Sequence, residues 1–74
     1  MRNLSIIARD IKSNWTNPNF AAKPYLNAMS ELDSIHDTYY NDSAKSVVLY
    51  FLANAGQWRG DVAKQIKSEL KGML

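Results

Sequence analysis

The chain has 74 residues, with nine Lys and Arg against seven Asp and Glu, so its net charge is only +2. Its length allows a single small domain, expected to span residues 1–74, that buries about 60% of the surface its unfolded form exposes. With no cysteine, disulfide staples, thiol catalysis and zinc ribbons are excluded.

The first predicted helix covers residues 4–15. Leu4, Ile7, Ala8, Ile11 and Trp15 recur at spacings of three and four, which sets one apolar stripe, and Asn3 is placed to cap it. Thr16-Asn17-Pro18-Asn19 reads as a stop, because proline drives the preceding residue out of the helical region. A second helix is expected from Pro24 to about Leu32, with Pro24 at a first position that needs no amide hydrogen. Its inner face is Tyr25, Ala28, Met29 and Leu32, with Leu26 beside them, and residues 20–22 make a single preceding turn.

Residues 33–42 (DSIHDTYYND) show no sustained period and read as a connection, with one short helical turn as the alternative. A third helix follows, capped by Asp42 or Ser43. Ala44, Val47, Val48, Phe51, Leu52 and Ala55 form its inner face, and Leu49 and Tyr50 widen it. Gly56 is expected to end this helix in the left-handed conformation. The last helix is placed at 57–72, with a start between Gln57 and Asp61. Trp58, Val62, Ala63, Ile66, Leu70 and Met73 form its inner stripe. The predicted fold class is therefore all-α, a compact bundle of three to four short helices.

No signal-peptide core follows Met1, and the longest apolar run, residues 47–53 (VVLYFLA), is far below the roughly 20 residues of a membrane span. The expected location is cytoplasmic, without membrane contact. Charge is segregated along the chain. Residues 1–29 carry Arg2, Arg9, Lys12 and Lys23 against Asp10; residues 30–42 carry Glu31, Asp33, Asp37 and Asp42 with no base; residues 43–74 carry five bases against Asp61 and Glu69.

Three stretches carry side chains with chemical potential. His36 with Asp33, Asp37 and Asp42 has the right donor types for a metal, but the spacing matches no metal signature and one imidazole cannot build the usual zinc sets. A solvated loop is the better account, and no metal, cofactor or catalytic residue is expected. Arg59-Gly60-Asp61 matches an adhesion tripeptide, but at a helix start it reads as coincidence. The 52–59 stretch followed by a lysine-bearing helix has a helix-turn-helix rhythm, in which Gln57 and Arg59 would approach bases and Lys64, Lys67 and Lys71 would touch phosphates. Trp58 would serve the core in that arrangement. Against it stands a low net charge.

The remaining signal is aromatic surplus. The inner stripes absorb Trp15, Tyr25, Phe51 and Trp58, which leaves Phe20, Tyr39, Tyr40 and Tyr50, with Leu49, as candidate partner-binding residues. The primary expectation is a non-enzymatic interaction protein that contacts a protein partner or a second copy of itself. Its alternative is a DNA-binding accessory factor.

Several stretches also resemble short helical proteins of unknown function from phages and mobile elements of Gram-positive bacteria. They are Ile7-Ala8-Arg9-Asp10-Ile11, Ala22-Lys23-Pro24-Tyr25-Leu26-Asn27-Ala28-Met29, Asp42-Ser43-Ala44-Lys45-Ser46-Val47-Val48-Leu49-Tyr50-Phe51-Leu52-Ala53-Asn54-Ala55 and Trp58-Arg59-Gly60-Asp61. The likeness spans most of the chain but transfers no functional residue, because the group has no mechanism to carry over. It implies an accessory protein acting on host or element machinery, including a small inhibitor of a host enzyme. In that setting the acidic stretch 31–42 would mimic nucleic-acid charge, although four carboxylates are few for that role.

Overall fold

Asn3 caps the first helix: its side-chain oxygen accepts the Ser5 amide at 2.9 Å at the start of α1, Leu4–Asn14. The computed structural model describes residues 2–74. Leu4, Ile7, Ala8, Ile11 and Trp15 are all buried, as the stripe predicts, while Ile6 lies outside it. The Trp15 amide closes the helix by donating to the Ile11 carbonyl at 2.7 Å.

After the 16–22 turn, helix α2 spans Lys23–Met29 with Pro24 in its first turn. It ends three residues short of Leu32. There the chain tightens: the Glu31 and Leu32 amides reach back only three residues, to Ala28 and Met29, and Leu32 is still buried.

The 33–43 segment corrects the all-α expectation. Two antiparallel two-residue strands, β1 (Thr38–Tyr39) and β2 (Asp42–Ser43), form a hairpin in the register Thr38↔Ser43 and Tyr39↔Asp42. Residues 33–37 are the irregular connection expected, with one tight turn in which the Asp37 amide donates to the Ser34 carbonyl at 3.0 Å, and only the hairpin departs from it. The fold is four helices with one minimal hairpin. Asp37 organises its approach, accepting the Asp33 and Ser34 amides on its carboxylate at 3.0 and 2.9 Å. Its carbonyl accepts the Ala44 amide at 2.8 Å.

Ser43 caps helix α3, Ala44–Ala53, by accepting the Ser46 amide at 3.1 Å. Helix α4 spans Asp61–Gly72. α2 packs chiefly on α3, and α4 on α1. The buried side chains make one cluster, centred on Phe51, Ile7, Ile11, Met29, Val48 and Leu70. No helix among the described residues is long and apolar enough to cross a membrane.

Gly56 and Val62 also differ from expectation. Gly56 does not take the left-handed conformation; α3 ends at Ala53 with Asn54 as its cap, and the positive-φ glycine is Gly60 at +113°. That dihedral breaks the chain before Asp61, so α4 cannot begin at residue 57. Val62, expected on the inner stripe, is exposed, and the buried stripe is Ala63, Ile66, Leu70 and Met73.

One polar clamp ties the start of the chain to α4. The Arg2 guanidinium donates to both Glu69 oxygens, Nε at 2.9 Å and Nη2 at 2.7 Å, and also pairs with Asp10. Hydrogen bonding from Arg2 holds the Glu69 carboxyl below its ordinary value of 4.5. Stability from this pairing is therefore present above pH 4.5 and is lost as pH falls through the depressed pKa. Both groups are partly solvated, so the contribution is under about 1 kcal/mol. Glu69→Gln should lower urea stability by that small amount at pH 7, and the difference from wild type should vanish near pH 2.

Candidate functional site

The exposed apolar residues divide between separate places on the fold. On α3, Leu49 and Tyr50 point outward at 56% and 53% exposure. They sit one and two residues beyond Val48, so the helical turn that buries Val47, Val48 and Phe51 necessarily turns them away. The Tyr50 ring does not stand alone. Tyr25 of α2 stacks on it with centroids 5.6 Å apart and planes 30° apart. The helical stripe predicts a core position for Tyr25. In the structure it is half-buried and bridges core and surface.

The hairpin supplies a second place. Tyr39 and Tyr40 meet edge to face at 4.7 Å, but their environments differ. Tyr39 is half-buried against the core and its hydroxyl donates to Glu31 at 3.1 Å, a bond that raises its pKa. Tyr40 is 84% exposed and occupies φ +54°, a conformation a tyrosine adopts at a cost of about 1 kcal/mol or more. Phe20, at 90% exposure, sits alone in the turn before α2. Beside it in sequence, the Asn19 side-chain oxygen is buried with no hydrogen-bond partner among the described residues. The structure thus joins Tyr50 to Tyr25 and Tyr39 to Tyr40. It records no ring pairing of Phe20 with either.

The basic residues form a different surface. Lys64, Lys67 and Lys71, at spacings of three and four on α4, share one stripe. Arg59 precedes the helix and Gln57 lies exposed in the connection. Trp58 itself is 5% exposed and stacks nearly parallel on Trp15, with centroids 5.6 Å apart. The connection from α3 to α4 runs over residues 54–60, longer than the three to four residues of a helix-turn-helix turn.

The acidic middle of the chain is used locally. The Asp37 carboxylate holds two amides, and the His36 amide donates to Ser34 Oγ at 3.1 Å. Among the described residues no group of three or more His, Cys, Asp or Glu side chains is placed to hold a metal. No known protein family, curated protein or solved structure matches this chain.

The start of α4 fixes where Arg59 and the lysine stripe stand, and it depends on Gly60. No neighbouring atom lies within 4 Å of where a Cβ would sit on Gly60 or Gly56, so backbone conformation alone separates them. Gly60→Ala should cost about 1–2 kcal/mol in urea denaturation, whereas Gly56→Ala should stay within about 0.5 kcal/mol of wild type.

Proposed function

We propose that this protein is a small, non-enzymatic interaction module whose contact face is the outward side of α3, Leu49 and Tyr50, extended by Tyr25. The observation that carries this reading is the Tyr25–Tyr50 stack beside an exposed leucine. A stacked ring has already lost much of its rotational freedom, so covering it with a partner costs less ordering entropy than covering a free side chain. Tyrosine also offers a large apolar body with a polar tip, which suits a surface that is wet before binding and dry after it. The exposed face of α3 carries Lys45 and no acid, so the partner is a protein surface that is mainly apolar.

Tyr40 supports the same mode of action at the hairpin. Its ring is largely solvated and touches only Tyr39 edge to face, a gain that the cost of its positive φ offsets at least in part, so most of its surface is left for another molecule. An accessory role in the cytoplasm, which the resemblance to short phage and mobile-element proteins would imply, is part of the same proposal. The helix-turn-helix alternative has less in its favour, because α4 docks chiefly on α1 and its connection to α3 is long.

The test pairs a surface variant with two measurements of contact. Leu49→Ser/Tyr50→Ser should keep the helical circular-dichroism spectrum and a melting temperature within a few degrees of wild type. In sedimentation velocity the wild type should self-associate with rising concentration, or a photo-crosslinker at the exposed position 53, one turn along α3 and carried by both proteins, should capture one discrete protein in host extract. The double variant should lose whichever contact the wild type makes. A wild type that stays monomeric throughout and crosslinks to nothing would overturn the reading.

A further inference from the structure

An open cleft of about 420 Å³ lies at the start of α4, lined by Trp58, Arg59, Gly60, Asp61, Lys64 and Lys67. Three of its six lining residues are cations and one is an acid. None of the three cations has a carboxylate within 4 Å among the described residues, where the only ion pairs are those of Arg2. The cluster is therefore uncompensated at close range.

Lys67 is the fixed member. It is half-buried, its ammonium donates to the Trp58 carbonyl at 2.6 Å, and it lies 6.0 Å from the centre of the Trp58 ring. A lysine held in this way has less rotamer freedom to lose on binding an anion than a fully solvated one. Burial lowers its pKa, and repulsion from Lys71 and Arg59 lowers it further, as a site lacking an anion would. Trp58 cannot serve as a stacking platform, since its ring is buried against Trp15. The cleft thus offers charge and hydrogen-bond donors without an aromatic face, chemistry that suits a phosphate and not a base.

We propose that this cleft binds a phosphate-bearing ligand, with the Lys67 ammonium as the fixed contact and Arg59 and Lys64 supplying the remaining positive charge. The assignment is independent of the α3 contact face. Asp61 opposes it from within the lining, which makes Asp61 a useful probe.

The experiment is a titration with pyrophosphate and, separately, with a short single-stranded oligonucleotide, followed by amide chemical shifts. Ionic strength is held constant with sodium chloride, which removes general screening. Pyrophosphate should saturate shifts confined to residues 58–67. Lys67→Gln should weaken binding about tenfold, the equivalent of one charged hydrogen bond. Arg59→Gln, at an exposed position whose loss does not threaten folding, should weaken it severalfold. Asp61→Asn should tighten it, and Lys12→Gln on α1 should change nothing. Saturation by both ligands on these residues would mean that the cleft accepts a phosphate within a nucleic-acid strand as well as a free one. Linear shifts that chloride reproduces, or equal affinity in wild type, Lys67→Gln and Arg59→Gln, would overturn the site. Oligonucleotide binding without pyrophosphate saturation would also overturn it, in favour of an extended backbone surface.

Discussion

Stacking of Trp58 on Trp15, with Phe51 meeting Trp15 edge to face at 6.3 Å, is the contact on which the rest of the molecule depends. Three separate stretches converge there: the end of α1, the last turn of α3, and the connection that leads into α4. That connection has no regular structure of its own and would otherwise be loose. Trp58 fixes it. Its amide donates to the Ala55 carbonyl, its own carbonyl accepts from Lys67, and its ring is clamped by Trp15. Aromatic pairs of this kind contribute about 0.5–1.5 kcal/mol beyond the area they bury, a large share of the margin available to so short a chain. The direction of α4, the basic stripe it carries and the cleft at its start all follow from this anchor.

A core this small also determines what is left outside. The three inner rings, Trp15, Phe51 and Trp58, fill the space between α1 and α3 and around the last connection. Tyr25 and Tyr39 reach halfway in, each with its ring against another tyrosine at the surface. Tyr50, Tyr40 and Phe20 then have no interior to enter. Helix geometry makes the exclusion of Tyr50 unavoidable: a helix that buries Val47, Val48 and Phe51 must turn residues 49 and 50 to solvent. The chain therefore separates residues that hold it together from residues free to meet another molecule, and α3 carries both kinds. A similar division runs along α4, where Ala63, Ile66 and Leu70 face inward and the lysines do not.

Much of this was legible from residue order because helical period is a repeating signal. The α1 stripe and the inner face of α3 each rest on several residues that agree with one another, whereas the α3 cap is narrowed from residue order only to Asp42 or Ser43. The hairpin gave no such signal. A strand of two residues has no alternation to detect, and its turn at Tyr40-Asn41 lacks the glycine that usually marks one. The exchange between Gly56 and Gly60 has a related cause. Both glycines flank Trp58, and either could end a helix or precede one. Only the packing of Trp58 decides that the chain must swing open at residue 60. The Lys67–Trp58 bond was equally hidden, since it joins a side chain to a backbone carbonyl nine residues earlier and leaves no mark in composition. On the surface, Leu49, Tyr50 and Tyr40 are exposed as expected, whereas Tyr39 is drawn partly inward by its contact with the core and its bond to Glu31.

A double-mutant cycle in urea, using Trp15→Phe, Trp58→Phe and both together, measures the anchoring contact most directly. If the stack holds α4 in place, each single change will destabilise the fold. The pair will cost less than the sum of the two, with a coupling of about 0.5 kcal/mol or more. Strict additivity, within about 0.3 kcal/mol, would show that the two indoles act independently and would contradict the account.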